Sequence, residues 1–298
     1  MTSASVKPLI SIIVPTYNRA SLIEEALNSV FNQTYEHFEL IVVDDGSTDD
    51  TAEKLKKFQA DQRFTLVRQE NQGQAAARNR GLEIAAGEYF CFLDSDNFWP
   101  NFKLEEQVSI ALNSPEFDVI YGDIIVVDGS GTEISRRNMP RKSGRITEWL
   151  LRDNSISMNT VMFKRRCYEE MGGMKVSHRA AEDYELWLRY STRFTFKYVE
   201  RFWVYYRVFH ERVSSDAART LQVNEEILET FRKDFPSSLS AKQFDSGMSF
   251  FYLRKARYMA SVGERKKAFG ELRKALKKCP TNPLVYRTLA AIFLKRSW

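Results

Sequence analysis

Cysteine is scarce in this chain of 298 residues: Cys91, Cys167 and Cys279 lie far apart. Such spacing is neither a disulfide framework nor a zinc ligand set, and it fits a reducing cytosol. Long apolar runs are absent as well. No uncharged stretch approaches the roughly 18 residues of a membrane-spanning helix. Residues Met1–Ile13 carry one lysine and no basic head or small-residue cleavage site, so they do not read as a signal peptide. Neither G-x-G-x-x-G nor G-x-x-x-x-G-K-[ST] occurs, which argues against dinucleotide and P-loop enzymes. What remains is an ordinary globular balance, 43% apolar and 28% charged, with room for one or two domains. A cytoplasmic location is the expectation.

The net charge of +5 conceals an asymmetry. Residues 251–298 hold 13 Lys/Arg against 2 Asp/Glu, a net of +11, and the first 250 residues have a net of −6. A mildly acidic body thus carries a basic tail. Either the tail is a solvated helix face or it meets something anionic.

The first half alternates strand and helix signals. Apolar, β-branched runs at 9–14, 38–43, 64–67 and 88–93 read as buried parallel strands. Helical spacing covers 20–31, 51–60 and 74–86. Strand–helix repeats of this kind imply a mainly parallel sheet with helices on both faces, an α/β fold. Ligands of such sheets sit beyond the carboxyl ends of the strands. Polar clusters stand at three of those ends: Pro15-Thr16-Tyr17-Asn18, Asp44-Asp45 and Asp94-Ser95-Asp96. Farther on, 118–128 reads as strand, Asp128–Gly131 as a tight turn, 136–143 as a flexible basic loop, and 160–164 as strand. A helix is expected over 182–190, aromatic strands over 194–206, and only helices beyond Ser214.

Each cluster has a chemical and a plainer meaning. Two carboxylates flanking Ser95 suit a hard cation such as Mg²⁺ or Mn²⁺, whose shell phosphate oxygens and water complete. They suit a turn with a helix cap equally. Asp45 can bond a base or ribose, and Pro15 and Tyr17 offer a face to a flat base, but acids after a strand also cap helices. The glycine turn at Gln72-Gly73-Gln74, with Arg78 in the helix behind it, suits an anion or is an ordinary helix start. Glu182-Asp183 opens a helix, where acids are stabilised by the macrodipole, or supplies a general base.

Taken in order, S-I-I-V-P-T-Y-N-R, V-V-D-D-G-S-T-D-D-T, G-Q-A-A-A-R-N-R-G, F-L-D-S-D-N and A-E-D-Y-E-L-W-L-R resemble the family 2 glycosyltransferases with the GT-A fold, over roughly residues 8–215. The resemblance implies that Pro15, Tyr17, Arg19, Asp45, Arg78, Asp94 and Ser95 bind a nucleotide sugar, UDP being the family's usual nucleotide. It implies Asp94 and Asp96 as a metal motif for Mn²⁺ or Mg²⁺, with Asp96 the more direct ligand. It implies Asp183 as catalytic base with Glu182 beside it. The segment Tyr206–Ser214 resembles a later family segment, with looser Arg–His spacing, and offers His210 as a metal or phosphate contact or as a surface histidine. No Q-x-x-R-W block is present, which suggests a non-processive enzyme. The implied reaction is inverting transfer of a sugar to a glycan or lipid-linked acceptor hydroxyl, in cell-surface polysaccharide or glycan synthesis, without nucleic acid. An inactive interaction protein with the same fold competes with it, as does a nucleotidyltransferase on a related fold.

The expected domains are 1–215, catalytic, and 216–298, helical and basic. Residues 252–293 fit tetratricopeptide-like spacing for about one and a half repeats, fewer than a free-standing solenoid needs. The helix Arg265–Lys278 sets Ala268, Phe269, Leu272, Ala275 and Leu276 on one face and Lys/Arg on the other. Packed inside the protein, it is an ordinary basic-backed helix. Left open, it lies on an anionic inner membrane face as a peripheral contact.

Overall fold

A computed structural model describes residues 7–137, 141–177, 181–209 and 217–293. The chain divides into two compact units, 1–145 with 156–217, and 146–155 with 218–298. The ten residues Ile146–Ser155 thus group with the C-terminal helices, although in sequence they lie inside the first expected domain.

The first unit contains a mixed, mainly parallel sheet. Its strands are β1 (Ile10–Thr16), β2 (Phe38–Asp44), β3 (Phe64–Arg68), β4 (Tyr89–Phe92), β5 (Val119–Val127), β6 (Glu133–Arg137), β7 (Met162–Lys164) and β8 (Phe196–Arg207). The order is β3-β2-β1-β4-β7-β5-β6, with β8 also on β5. β1, β2, β3 and β4 pair in parallel, Ile10 facing Phe38 and Tyr89. β7 runs antiparallel between β4 and β5, so β5 points the same way as β4. β8 runs parallel to β5, Val126 facing Tyr206. The carboxyl ends of β1, β2, β4, β5 and β8 therefore share one end of the sheet.

Both faces are covered, which is why the strands read as continuous apolar runs. Ile10, Ile12 and Val14 of β1 face a core completed by Ile23, Leu27 and Val30 of α1 (Ile23–Phe31) and by Leu104 and Val108 of α4 (Lys103–Asn113). Ile13 faces the opposite way, against α3 (Gln74–Ile84). A Cβ on Gly81 would stand 2.4 Å from Ile13 Cγ2, so only glycine lets α3 come this close. On that side Phe163 meets Phe90 and, in α7 (Glu182–Ser191), Trp187 and Tyr190 edge to face, and stacks on Phe92.

Several local expectations are corrected. Arg136 and Arg137 belong to strand β6, not to a flexible loop. Arg141 and Lys142 are fastened as well, Arg141 to the buried Asp123 and Lys142 through its carbonyl to the Tyr121 hydroxyl. The span 51–60 is a short α2 (Thr51–Leu55) followed by a 3-10 turn, Lys56–Phe58. Residues 158–160 form another 3-10 turn ahead of β7. The aromatic segment is one long strand, β8. Helices α4 and α6 (Arg165–Met171) were not read from the sequence.

The second unit joins α5 (Thr147–Leu150) to α8 (Ala217–Asp234), α9 (Ala241–Ser261), α10 (Arg265–Lys278) and α11 (Pro283–Phe293). Ser240 and Gln243 close a capping box at the start of α9. A Cβ on Gly247 would come within 2.5 Å of Leu151, so glycine lets the 146–155 segment lie against α9. Ala268, Leu272 and Ala275 of α10 are buried and Leu276 is exposed. The apolar stripe of α10 is therefore mostly occupied within this unit. Its outer face keeps Lys266, Lys267, Arg273 and Lys277 exposed.

Candidate active site

The loops after β1 and β2 are sewn together. Asn18 adopts φ +52°, and its Oδ1 accepts the Thr48 N–H at 2.8 Å. The Asn18 N–H donates to Ser47 Oγ, the Arg19 N–H to Thr51 Oγ1 and the Ala20 N–H to Asp49 Oδ2. Pro15 is buried at the end of β1, and Tyr17 just beyond it is 44% exposed, an aromatic ring left uncovered on a well-anchored loop. Asp44 turns inward to accept the Ser47 N–H.

Asp45 is buried, and its carboxylate organises the next loop. Oδ1 accepts from Gln69 Nε2 at 2.8 Å and from the Gln72 N–H at 2.9 Å, and Oδ2 accepts from the Gly73 N–H at 2.8 Å. Gly73 has φ +91°, a conformation that favours glycine, and α3 starts directly after it. Asp45 thereby sets where α3 begins and where Arg78 stands.

Arg78 is enclosed rather than aimed outward. It donates from Nη2 to Asp94 Oδ1 at 2.5 Å and from Nη1 to Glu182 Oε1 at 3.0 Å. Burial opposes its charge, but Asp94 and Glu182 outweigh burial and raise its pKa above the ordinary arginine value. Glu182 is buried and also receives Gln74 Nε2. Asp183, the next residue, is only partly buried, and its Oδ1 accepts the Tyr184 N–H at 2.7 Å. The approach to α7 is equally fixed: Asn79 exchanges two hydrogen bonds with Met174, and Arg189 donates to the carbonyls of Gly172 and Gly173.

Past β4, Ser95 is buried and Asp94 and Asp96 are partly exposed. Arg19 Nη2 stands 3.7 Å from Asp96 Oδ2. Arg207, at the end of β8, is buried. It donates to the carbonyls of Asp96, Asp128 and Gly129 and pairs with Glu25. The arginine of the Tyr206–Ser214 segment thus braces the Asp96 turn. His210 lies outside the described residues.

The sequence did not single out Tyr206 or Asn159. Burial raises the Tyr206 hydroxyl above the usual tyrosine range, and the negative charges of Asp94, Asp96 and Asp183 raise it further. The charges of three acids from two distant parts of the chain are therefore all felt at one hydroxyl. Asn159, from the 3-10 turn before β7, bonds Asp94. Asn159 lies in no local pattern that would mark it, and Tyr206 only opens the Tyr206–Ser214 segment, whose arginine and histidine drew the attention.

Among the described residues no three His, Cys, Asp or Glu side chains form a closed metal cage. The turn after β4 does present hard carboxylate oxygens, Asp96 beside Arg19 and Asp94 held by Arg78 and Asn159. Few protein carboxylates suit Mg²⁺ or Mn²⁺ when phosphate oxygens and water fill the remaining positions.

A Rickettsia bellii uncharacterized glycosyltransferase is 34% identical over 184 residues, 62% of this chain but only 26% of that protein. The Bacillus subtilis putative teichuronic acid biosynthesis glycosyltransferase TuaG is 35% identical over 61% of this chain and 71% of its own. The Escherichia coli UDP-Glc:alpha-D-GlcNAc-diphosphoundecaprenol beta-1,3-glucosyltransferase WfgD is 37% identical over 60% of this chain and 68% of its own. Among solved structures, S. aureus TarS 1-349 in complex with UDP-GlcNAc gives a TM-score of 0.61 at 18% identity, over 97% of this chain and 93% of that one. The mannosyltransferase PcManGT from Pyrobaculum calidifontis, in complex with GDP-Man and Mn²⁺, also gives 0.61, at 20% identity over 96% of this chain and 80% of that one. These two share the GT-A fold with this chain. The family model described as glycosyl transferase family 2 matches residues 11–172, more than half of the chain, and the chain belongs to that family.

Proposed function

We propose that the protein transfers a sugar, with inversion, from a nucleotide-diphosphate sugar, UDP-linked, to an acceptor hydroxyl in the synthesis of a cell-surface polysaccharide or lipid-linked glycan. The observation that carries this reading is that Arg78 bonds both Asp94 and Glu182, which ties the Asp94-Ser95-Asp96 turn after β4 to the first turn of α7, where Asp183 stands. The names of WfgD and TuaG support the acceptor class, and those of WfgD and the TarS complex support UDP.

In this reading Pro15, Tyr17 and Asp45 receive the base, and Arg19 and Ser95 line the donor side. Asp183 takes the proton from the acceptor hydroxyl as its oxygen attacks the anomeric carbon and the bond to the diphosphate breaks. A positioned base of this kind contributes typically about 10²–10⁴-fold. Glu182 is buried beneath Arg78 and Gln74, so it serves to place Asp183 and not to take a proton. Mn²⁺ or Mg²⁺ would be held by Asp96 and, through a remaining lone pair, Asp94. When bound, such a cation supplies neutralisation of the charge developing on the diphosphate. Arg78 keeps the Asp94 turn and the start of α7 in register, and the acceptor must exclude water or the donor is hydrolysed.

Screening UDP-, GDP-, TDP- and CMP-linked sugars for release of the nucleotide, with a glycosyl-diphospho-lipid as acceptor, tests the proposal. Acceptor-dependent release of UDP supports it. Release from none of them, with or without acceptor, overturns it.

A further inference from the structure

We infer that Asn159 is a positioning residue for donor binding, acting through Asp94. The inference rests on Asp94 belonging to the donor-binding set proposed above. Asn159 is 2% exposed and has no contact with solvent to satisfy its amide. Its Oδ1 accepts the main-chain N–H of Asp94 at 2.6 Å, and its Nδ2 donates to Asp94 Oδ2 at 2.7 Å. The two bonds fix the amide's orientation, since the opposite one would set donor against donor and acceptor against acceptor. An isosteric Asp or Leu cannot make both.

The platform beneath Asn159 is rigid. Its carbonyl accepts Trp99 Nε1 at 3.0 Å, and the neighbouring Thr160 carbonyl accepts Gln107 Nε2 at 2.8 Å. Gln107 in turn accepts Lys103 Nζ at 2.7 Å. Trp99 and α4 come directly after the Asp94-Ser95-Asp96 turn in sequence, so the turn is braced by the segment that follows it.

Asp94 therefore carries one fixed donor on each carboxylate oxygen, Arg78 on Oδ1 and Asn159 on Oδ2. The lone pairs left over point in directions set before any ligand arrives. A donor then meets an ordered carboxylate and need not spend binding energy on ordering it. Arg78 alone would hold one oxygen and leave the carboxylate plane free to rotate about that bond.

The test is a double-mutant cycle read by calorimetry on the folded enzyme, using UDP, GDP and TDP in the presence of Mn²⁺ and keeping the nucleotide that binds the wild type most tightly. Asn159→Ala should weaken binding roughly tenfold, the loss of one hydrogen bond to a charged group. In an Asp94→Ala background the same substitution should change binding less than about twofold, because the residue it acts through is gone. Asn159→Asp keeps an acceptor for the Asp94 N–H and loses the donor to Oδ2. It sets a second carboxylate against Oδ2 and should lose at least as much affinity as Asn159→Ala; Asn159→Ser, which keeps a small polar side chain, completes the cycle if the alanine variant does not fold. Equal losses in both backgrounds, or unchanged affinity on loss of Asn159, would overturn the inference. Wild-type affinity in Asp94→Ala, or no nucleotide bound by the wild type, would instead sink the donor-binding reading of Asp94 and the inference with it.

Discussion

Arg78 bonds Glu182 at 3.0 Å across 104 residues of sequence, and both side chains are almost wholly buried. The same guanidinium holds Asp94, so a single side chain joins the turn after β4 to the first turn of α7. This link sets where Asp183 stands relative to Asp94 and Asp96. Breaking it should damage the site without removing any group that touches a substrate. Arg78→Met leaves two carboxylates facing a site with no countercharge and should cost about 3–5 kcal/mol of stability, as loss of one partner of a buried pair does. Chemical denaturation checks this, and a loss below about 1 kcal/mol would contradict it.

Glu182 and Asp183 should separate in kinetics. Asp183→Asn keeps the shape and removes the basicity, so transfer should fall by about 10²–10⁴ with nucleotide binding retained. Glu182→Gln keeps acceptors for Arg78 and Gln74 and should retain more than about a tenth of wild-type turnover. The reverse ranking would move the base to Glu182.

Metal dependence should run through Asp96. A chelator should stop transfer and Mn²⁺ or Mg²⁺ restore it. Asp96→Ala should weaken nucleotide binding when metal is present and change it little when metal is absent. Full turnover in excess chelator would exclude the assignment.

Lys103 should leave a signature in the pH dependence of stability. It is fully buried against Trp99, Gln107 and Cys91, and burial pushes its ammonium down to about 8. Between that value and the unfolded value of about 10.4, the unfolded chain binds the proton and the folded one does not, so stability attributable to Lys103 rises with pH across this window. Below about pH 8 both states are protonated and the burial penalty is constant. In denaturation series from pH 7 to 10.5, wild type should therefore gain on Lys103→Met as pH rises. A difference that does not change with pH would refute the burial of a titrating amine.

The basic tail should adhere to anionic vesicles only through charge, because the apolar stripe of α10 is mostly occupied. Co-sedimentation should require anionic lipid, weaken with salt, and fall when Lys266, Lys267, Lys274 and Lys278 become Glu. Lys267, Lys274 and Lys278 already pair with acids, so the exposed Lys266 should account for more of the effect than any of these three. Sedimentation insensitive to lipid charge would dismiss a membrane role.

Much of the first unit was legible because its information is local. Buried parallel strands write continuous apolar runs, and the polar clusters at their carboxyl ends stand next to those runs in sequence. Pro15, Asp45, Asp94 and Asp96 could be picked out for that reason, whereas Asp183, at a helix start, stood out through the family resemblance. The interior of the long middle region could not. β6 is exposed along its whole length and shows no alternation, so its last residues, Arg136 and Arg137, read as the start of a loop. Its pairing with β5 decides its structure.

Residue identity and spacing determined the α/β pattern, the family resemblance, the basic tail and the acids proposed to carry the chemistry. Only the tertiary structure decided that Arg78 bridges two acids, that Glu182 is buried under it, that Arg207 braces a turn, and that Asn159 clasps Asp94. Each of these depends on partners many tens of residues away, brought together by strand order and helix packing. A hydrogen bond is satisfied by whichever group arrives at about 2.9 Å, and nothing in the neighbouring sequence records which group that will be.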